Sequence, residues 1–330
     1  MAGCICEVMK VVGGYFELAD YEESSVFPYE DGALLNTGRN ALEYILRSIG
    51  KVDLIYLPYY TCDVVLEPLK KLHIPWSFYH INKSFEIVEE LNPKEGEYII
   101  ANNYFGIKDA YIQKLAAKFG DQLVVDNAQA FFAKPIPGIK SFYSVRKFVG
   151  AADGGVAYLG ILPNDIVEIN EIEKTDDHDN HLYKRKQFGA EAGFADFQSN
   201  EKKLDNQPIR RMSSVTKEIL SHIDYNRVIT LRRGNYKYLH GALSEHNQLV
   251  LPEWDTFSCP MVYPFVHGTD RDLRNELIEN KVFVAKYWPN VGCVEDFEIE
   301  YGLVNGMIPI PCDQRYGVEE MKRIVDIIKK

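Results

Sequence analysis

The sequence predicts an α/β protein built on a mostly parallel sheet. Over the first half of the chain, short apolar runs alternate with stretches that place apolar residues at helical spacing. This alternation is typical of strand–helix–strand units, whose helices cover a parallel sheet. The composition agrees with a globular protein that buries a sizeable core, because 46% of the 330 residues are hydrophobic and 26% are charged.

Each element of the first half has a local signal. Residues 41–49 place apolar side chains at helical spacing, and Gly50 follows as a natural stop. A buried strand is expected at 54–57, where an apolar run ends at Pro58. The same reasoning predicts helices at 63–72 and 110–119, and strands at 76–80, 98–101, 123–126 and 155–159.

The second half changes character and predicts a smaller α/β lobe. Residues 171–181 are polar, with irregularly spaced acidic residues and histidines, so a solvated loop is expected there rather than a metal site. One long amphipathic helix at 213–243 is expected to link two domains, 1–225 and 226–330. The lobe is then predicted to contain strands at 261–266, 282–287 and 307–310, and helices at 270–279 and 318–328.

The charge balance limits the partners of the protein. Lys and Arg number 37 against 48 Asp and Glu, which gives a net charge of −11. An acidic chain repels polyanions, so we expect neither nucleic acid nor an anionic membrane as a partner. The sequence has no apolar run of about 18 residues and no signal-peptide pattern, which favours a cytoplasmic protein. The six cysteines are too sparse for a disulfide scaffold, and Cys4 and Cys6 have no partner pair for zinc.

The residues that could carry chemistry lie between positions 124 and 155. Asp126 follows a predicted strand, and the carboxyl ends of strands are where such sheets bind ligands. Lys147 lies about twenty residues later, in a loop of small residues. A desolvated lysine is a nucleophile for carbonyls, and a pyridoxal phosphate (PLP) enzyme needs one for its Schiff base and a carboxylate for the pyridine nitrogen. Taken singly, a lysine beside a serine is usually a surface residue, and an aspartate at a strand end usually caps the next turn.

A second interpretation of this segment is a Ser-x-x-Lys nucleophile. Ser144 and Lys147 have the spacing found in penicillin-recognising hydrolases, which also carry Ser-Asp-Asn and Lys-Thr-Gly elements. The sequence contains neither of these elements, so this interpretation is set aside.

Several short motifs, in order along most of the chain, resemble those of one enzyme family. They are Gly38-Arg39-Asn40-Ala41, Pro58-Tyr59-Tyr60-Thr61, Asn103-Tyr104-Phe105-Gly106, Asp126-Asn127-Ala128-Gln129, Lys147 with Asp153-Gly154-Gly155, Tyr287-Trp288-Pro289 and Ile308-Pro309-Ile310-Pro311. This set is similar to that of the DegT/StrS group of nucleotide-sugar aminotransferases. The resemblance implies the PLP-dependent transferase fold of type I, with a large cofactor domain and a small C-terminal domain.

The resemblance also implies roles around the cofactor ring. Lys147 would form the Schiff base and later move a proton between substrate and cofactor. Asp126 would pair with the pyridine nitrogen, and Gln129 would contact the 3-hydroxyl group. Tyr60 or Cys62 would lie against the ring, although Cys62 stands where many members of the group have an aromatic residue.

The cofactor phosphate would be bound at the start of the first helix. Ser144 would contact it, together with Gly38, Arg39 and Asn40, because free N–H groups at a helix start favour an anion. Arg39 could add a charge-assisted contact.

The activity implied by the resemblance is transfer of an amino group from an amino acid, with glutamate expected, to a keto-sugar that is nucleotide-linked. The residues assigned to the substrate are Lys184, Arg185, Arg210, Arg211 and Tyr287; the basic ones could equally form a solvated face. A homodimer with its active site between subunits is also implied. The alternatives are another fold-type I enzyme, either a lyase or an aminotransferase of non-sugars, and a non-catalytic protein, which retention of both Asp126 and Lys147 disfavours.

Overall fold

The computed structural model describes residues 10–20, 25–161, 179–268, 271–292 and 298–330. Cys4, Cys6 and most of the acidic segment, residues 171–178, lie outside the described residues, and so do the expectations about them. In chain order, the strands are β1 (Val12–Gly13), β2 (Ala33–Leu35), β3 (Leu54–Pro58), β4 (Trp76–Tyr79), β5 (Glu97–Asn102), β6 (Leu123–Asn127), β7 (Lys140–Ser144), β8 (Gly155–Leu159), β9 (Val262–Val266), β10 (Val282–Phe283) and β11 (Met307–Pro311). The helices are α1 (Gly38–Ile49), α2 (Leu66–Lys71), α3 (Asp109–Phe119), α4 (Asn180–Phe188), α5 (Phe194–Lys203), α6 (Ser214–Leu220), α7 (Tyr225–Leu243), α8 (Leu273–Glu279), α9 (Glu298–Gly306) and α10 (Val318–Ile328).

A seven-stranded mixed sheet organises the first half of the chain, in the order β2-β8-β7-β6-β5-β3-β4. Strands β4, β3, β5, β6 and β7 are parallel to their neighbours in this series, whereas β8 is antiparallel to both β7 and β2. The predicted α/β class with a mostly parallel sheet is therefore confirmed.

The strand order determines where a ligand can bind. From β3 the chain moves to β4 on one side and then returns to place β5 on the other side. A crevice opens at such a reversal, outside the carboxyl ends of the strands. The loops that follow β3 and β5 border this crevice, and Asp126 of β6 lies one strand away.

Helix α1 covers one face of the sheet and is well specified locally. The Thr37 side chain accepts the N–H of Asn40 at the start of the helix, and Gly50 ends it with φ = 84°, a conformation that favours glycine. The apolar side of the helix packs with Ile55, Leu57 and other strand residues in a core cluster distinct from the larger core on the opposite face. The helix predicted at 41–49 is confirmed, with a start three residues earlier.

The long helix predicted at 213–243 is wrong as a single element. The chain instead forms α6 and α7, separated by residues 221–224. The reason is local capping: Ser213 caps α6 through the N–H of Thr216, and Asp224 starts α7 by accepting the N–H of Arg227. The strand predicted at 282–287 is also shorter, since β10 ends at Phe283.

In the last part of the chain, α7 packs on β9 and α9 packs on β11 of the antiparallel pair β9–β11, while α10 packs on α7 and α8. The N-terminal segment reaches this part, because β1 pairs in parallel with β10. The predicted domain boundary at 225/226 falls at the first residue of α7 and remains a prediction. Among the described residues, no helix is both long and apolar enough to cross a membrane.

Candidate functional site

A small cavity lies at the carboxyl ends of β3, β5 and β6, in the crevice described above. Its wall consists of Thr61, Cys62, Asn102, Asn103, Asp126, Ala128, Gln129, Lys147 and Trp288. The fold thus brings together four residues that the sequence assigned to the cofactor ring: Cys62, Asp126, Gln129 and Lys147. The volume of the cavity is about 20 Å³, which is room for about one water molecule.

Asp126 ends β6 and is buried, with 8% of its surface exposed. Its Oδ1 accepts the N–H of Ala128 at 2.8 Å. Burial raises the pKa of this carboxyl group, while the Lys147 ammonium and the Ala128 N–H act in the opposite direction. Because an ionised carboxylate is costly here, a cationic partner such as a protonated ring nitrogen would stabilise it.

Two buried amide side chains have polar atoms to spare. Gln129 Oε1 accepts the N–H of Phe105 at 3.1 Å, and Asn102 Nδ2 donates to Thr61 Oγ1 at 3.0 Å. Within the described part of the chain, Gln129 Nε2 and Asn102 Oδ1 are buried without a hydrogen-bond partner. Buried polar atoms are normally paired, so a spare donor and a spare acceptor in one cavity wall indicate a polar ligand.

Lys147 is exposed and stands between two cavities. It ends the single 3₁₀ turn Val145–Lys147 that follows β7, and it lines both the small cavity and a second one of about 390 Å³. The loop after it is fixed by Asp153, a buried carboxylate that accepts the Ser213 N–H at 2.9 Å, the Ser213 hydroxyl at 2.7 Å and the Thr216 hydroxyl. The acidic residue of the Lys147 motif therefore acts as an anchor for the loop.

The start of α1 meets the end of β7, as the predicted phosphate site requires. A side-chain carbon built on Gly38 would lie 3.5 Å from Ser144 Cβ, so these two residues are adjacent. Gly38 and Arg39 occupy the first turn of α1, where backbone N–H groups lack partners within the helix. Such groups suit a phosphate.

The side chains of Arg39 and Asn40 are already engaged. Arg39 forms ion pairs of 2.7 Å with both Glu67 and Asp205, so its charge is neutralised by two carboxylates. The Asn40 N–H is donated to Thr37 Oγ1, and its Nδ2 donates to the carbonyl of Gln207 at 2.9 Å. These contacts favour Gly38, the Arg39 backbone and Ser144 as the phosphate-binding groups.

The two residues expected beside the cofactor ring have different environments. Cys62 is half-buried in the cavity wall, and burial raises the pKa of its thiol while the charge of Lys147 opposes the rise. Tyr60 is fully buried with its ring 4.4 Å from that of Trp288, and its hydroxyl lies 3.9 Å from Met307 Sδ. Tyr60 thus packs behind Trp288.

The residues assigned to the substrate are not gathered in one place. Lys184 is exposed and pairs with Asp196 at 2.7 Å, whereas Arg185 is buried and pairs with Glu17 at 2.6 Å. Arg210 and Arg211 lie beside the end of β2. There the Asn36 N–H donates to the carbonyl of Arg210 at 2.9 Å, and Arg211 forms an isolated antiparallel β-bridge with Leu35. Tyr287 differs from these four because it lines the larger cavity beside Lys147.

The sequence did not indicate the arginines around the larger cavity. Arg146, Arg232 and Arg315 line it together with Asp313. Arg315 binds Asp313 at 2.8 Å, whereas Arg232 is fully buried and donates to Gln314 Oε1 at 2.7 Å and to backbone carbonyls. Arg146 and Arg315 are also ion-paired with carboxylates outside this wall, so part of its positive charge is already balanced. No local pattern separates these arginines from surface ones, because distant segments bring them together.

The chain resembles solved enzymes in structure at low sequence identity. No model of a known protein family matches it, and no curated protein matches it. DesV of S. venezuelae, solved in complex with a ketimine intermediate, has a TM-score of 0.63 at 13% identity, covering 90% of this chain and 84% of that chain. A DegT/DnrJ/EryC1/StrS aminotransferase from Brucella abortus has a TM-score of 0.61 at 15% identity, covering 92% and 86%. DesI, solved in the presence of its TDP-sugar product, has a TM-score of 0.60 at 14% identity, covering 90% and 79%.

These similarities show a shared fold. It is the fold of PLP-dependent transferases of type I, so the predicted fold class is confirmed at this level too.

Proposed function

We propose that this protein is a PLP-dependent aminotransferase of the DegT/StrS type, which transfers an amino group to a keto-sugar. The observation that carries the proposal is the wall of the small cavity. Buried Asp126, the spare Gln129 Nε2 and the reachable Lys147 meet there at the carboxyl ends of parallel strands. These three groups match a protonated pyridine nitrogen, a ring hydroxyl and an aldehyde.

The polar groups of the site fit this cofactor. Asp126 would hold the ring nitrogen in its protonated form. Gln129 Nε2, which has no partner within the described residues, would donate a hydrogen bond to the ring oxygen. The backbone N–H groups of Gly38 and Arg39, with the hydroxyl of Ser144, would bind the phosphate. When bound, the cofactor supplies the electron sink that stabilises a carbanion on the substrate.

Lys147 would perform the proton transfer. Its amine would hold the cofactor aldehyde, and it would take a proton from one carbon and return it to another. Its position between the two cavities suits this task, because the larger cavity would hold the substrate. Asp153 keeps the loop that carries Lys147 in place.

The proposed substrates follow from charge and from a structural neighbour. Arg232 in the wall of the larger cavity donates to Gln314 and to backbone carbonyls, so its guanidinium group favours a carboxylate-bearing donor such as glutamate. DesI, with its TDP-sugar product, supports a nucleotide-linked keto-sugar as the acceptor. We further propose that the protein acts on small molecules as a homodimer in the cytoplasm.

The proposal is tested by colour and by turnover. Protein incubated with PLP and then desalted should be yellow, and Lys147→Ala should be colourless. Lys184→Ala, which removes an exposed lysine outside both cavities, should stay yellow. Glutamate should then bleach the wild-type band and release 2-oxoglutarate, and a panel of nucleotide-linked keto-sugars should identify an acceptor that restores it.

Two results would contradict the proposal. A protein that remains colourless with added PLP has no cofactor site of this kind. A yellow protein that ignores glutamate but breaks down another amino acid without forming an equivalent amount of amino product is a lyase.

A further inference from the structure

Trp288 stands in the wall of the small cavity although it comes from the last part of the chain. It lies five residues after the end of β10. The loop that carries it docks on the loop after β3, where Asn290 Nδ2 donates to the carbonyl of Thr61 at 3.2 Å and the Gly292 N–H is donated to the Tyr59 hydroxyl at 3.2 Å. This docking brings the indole into the same cavity wall as Asp126 and Lys147.

The indole is held in an aromatic cluster. Its ring lies edge-on to Tyr60 at 4.4 Å and to Tyr104 at 5.8 Å, and it stacks on Phe105 at 6.2 Å with an interplanar angle of 19°. Only 7% of Trp288 is exposed. Such contacts are favourable, so the indole is positioned by packing.

The backbone of Trp288 is strained. Its φ is 51°, in the left-handed region that bulky side chains rarely adopt. Strain of this kind persists where the surroundings impose it, and it clusters at ligand clamps and switch regions. A movement of residue 288 into an ordinary conformation would release this strain and offset part of the packing lost when the indole moves.

The polar groups around the indole indicate a ring-sized ligand, but with the indole in place the cavity is too small for one. Asp126 and Gln129 Nε2, which has no partner among the described residues, belong to one cavity wall with Trp288, yet this cavity has room for about one water molecule. Cys62, at the position where an aromatic residue is expected beside the ring, contributes only a thiol. A pyridine ring can therefore reach Asp126 only after a side chain of the cavity wall has moved. Trp288 is the largest side chain in this wall.

We propose that Trp288 is a cofactor-contact residue of this protein and gates its cofactor cavity. The indole closes the space between Asp126, Gln129 and Lys147, withdraws when the pyridoxal ring enters, and then forms the aromatic wall that Cys62 does not supply. This inference rests on the proposed function, since it needs a pyridoxal ring as the ligand. It adds that entry of the ring is limited by one side chain from the C-terminal part of the chain.

The gate predicts the kinetics of cofactor binding. If the cavity is open in only a small fraction of the molecules, the observed rate of PLP association is reduced in proportion to that fraction. Trp288→Ala removes the indole, so PLP should associate about tenfold faster or more, as expected when a minor open state becomes the major one. Its PLP should also dissociate faster, because the aromatic wall is lost.

The experiment uses full-length protein stripped of PLP with a carbonyl reagent and then dialysed. Stopped-flow absorbance follows the yellow band after PLP is added to the wild type, Trp288→Ala, Trp288→Leu and the matched control Trp254→Ala. Trp254 is half-buried, lies in the same part of the chain and packs against Lys237 at 4.4 Å, outside the cavity wall. Circular dichroism establishes that each variant is folded, and Trp288→Leu serves if the alanine variant is not.

The outcomes separate the gate from the function. Faster association in both Trp288 variants, with Trp254→Ala unchanged, supports the gate. A yellow band that forms at the wild-type rate in folded Trp288 variants overturns the gate but leaves the aminotransferase proposal standing. A wild-type protein that never forms the band overturns both.

Discussion

Asp153 offers a demanding test of how the reactive loop is held. Its carboxylate is 4% exposed and accepts three hydrogen bonds from the start of α6. In Asp153→Ala the hydroxyls of Ser213 and Thr216 can rotate toward other acceptors, but the Ser213 N–H cannot. Leaving that donor buried costs about 1–3 kcal/mol, and each lost bond to a charged group contributes about 1.5–3 kcal/mol before relaxation.

We therefore expect Asp153→Ala to lower the free energy of unfolding by about 3 kcal/mol, a large part of the roughly 5–15 kcal/mol typical of a native protein. Urea denaturation followed by circular dichroism measures this quantity by linear extrapolation. The matched control is Ser213→Ala, which keeps Asp153 and its bonds to the Ser213 N–H and the Thr216 hydroxyl. It removes one hydrogen bond to a charged group and a helix cap but leaves no buried donor unpaired, so a loss of about 2 kcal/mol is expected, smaller than that of Asp153→Ala.

Equal losses in the two variants, or a loss below about 1 kcal/mol in Asp153→Ala, would refute the view that this carboxylate anchors the loop. The anchor also predicts that PLP binds more weakly to Asp153→Ala, because the position of Lys147 is less well defined. A variant that is destabilised as expected but forms the yellow band with undiminished affinity would separate the anchor from the site.

Three further predictions concern the same region. Gly155→Ala puts a side-chain carbon 2.3 Å from a backbone carbonyl oxygen at the start of α1, so the midpoint of urea unfolding should fall, whereas Gly234→Ala, with open space around it in α7, should raise stability by about 0.5–1 kcal/mol. Burial raises the pKa of the Cys62 thiol, and the charge of Lys147 lowers it. Lys147→Gln should therefore raise this pKa further and slow alkylation of Cys62 at neutral pH, which peptide mass analysis follows. Faster alkylation would contradict this expectation. Burial raises the pKa of Asp126, so the folded state binds this proton more tightly than the unfolded state and stability falls as pH rises through the window between the two pKa values. Without PLP, Asp126→Asn should therefore be more stable than the wild type in urea titrations at neutral pH, and this gain should disappear below the unfolded-state pKa. Its affinity for PLP should fall. A stability difference that does not change with pH would contradict a raised pKa of Asp126 in the folded state.

The parts of the fold that could be predicted are those with strong local signals. The apolar runs of β3, β5 and β6 and the spacing and capping of α1 specify their own conformation. Strand β7 lies between β6 and β8 in the sheet, yet its sequence, Lys-Ser-Phe-Tyr-Ser, is too polar for a buried strand. It is stabilised by a distant contact, because Lys140 Nζ donates to the carbonyl of Asp121 at 2.6 Å.

The candidate site divides in the same way. The proximity of Asp126, Gln129 and Lys147 could be predicted because their motifs lie within one segment of the chain. The role of Trp288 could not, since it depends on a loop more than a hundred residues away docking on the loop after β3. The predicted contact of the Arg39 side chain with a phosphate could not be judged from the sequence either. Glu67 and Asp205, which neutralise its charge, are remote from it in the chain.

The central claim is that Lys147 holds a pyridoxal group within the wall formed by Asp126 and Gln129. Borohydride reduction of the protein after incubation with PLP fixes the cofactor to the amine that binds it, and peptide mass analysis then identifies that amine. The account predicts a single phosphopyridoxyl group per chain, on Lys147, and none in Asp126→Ala at limiting PLP. A label on another lysine, or an unlabelled Lys147, would contradict it.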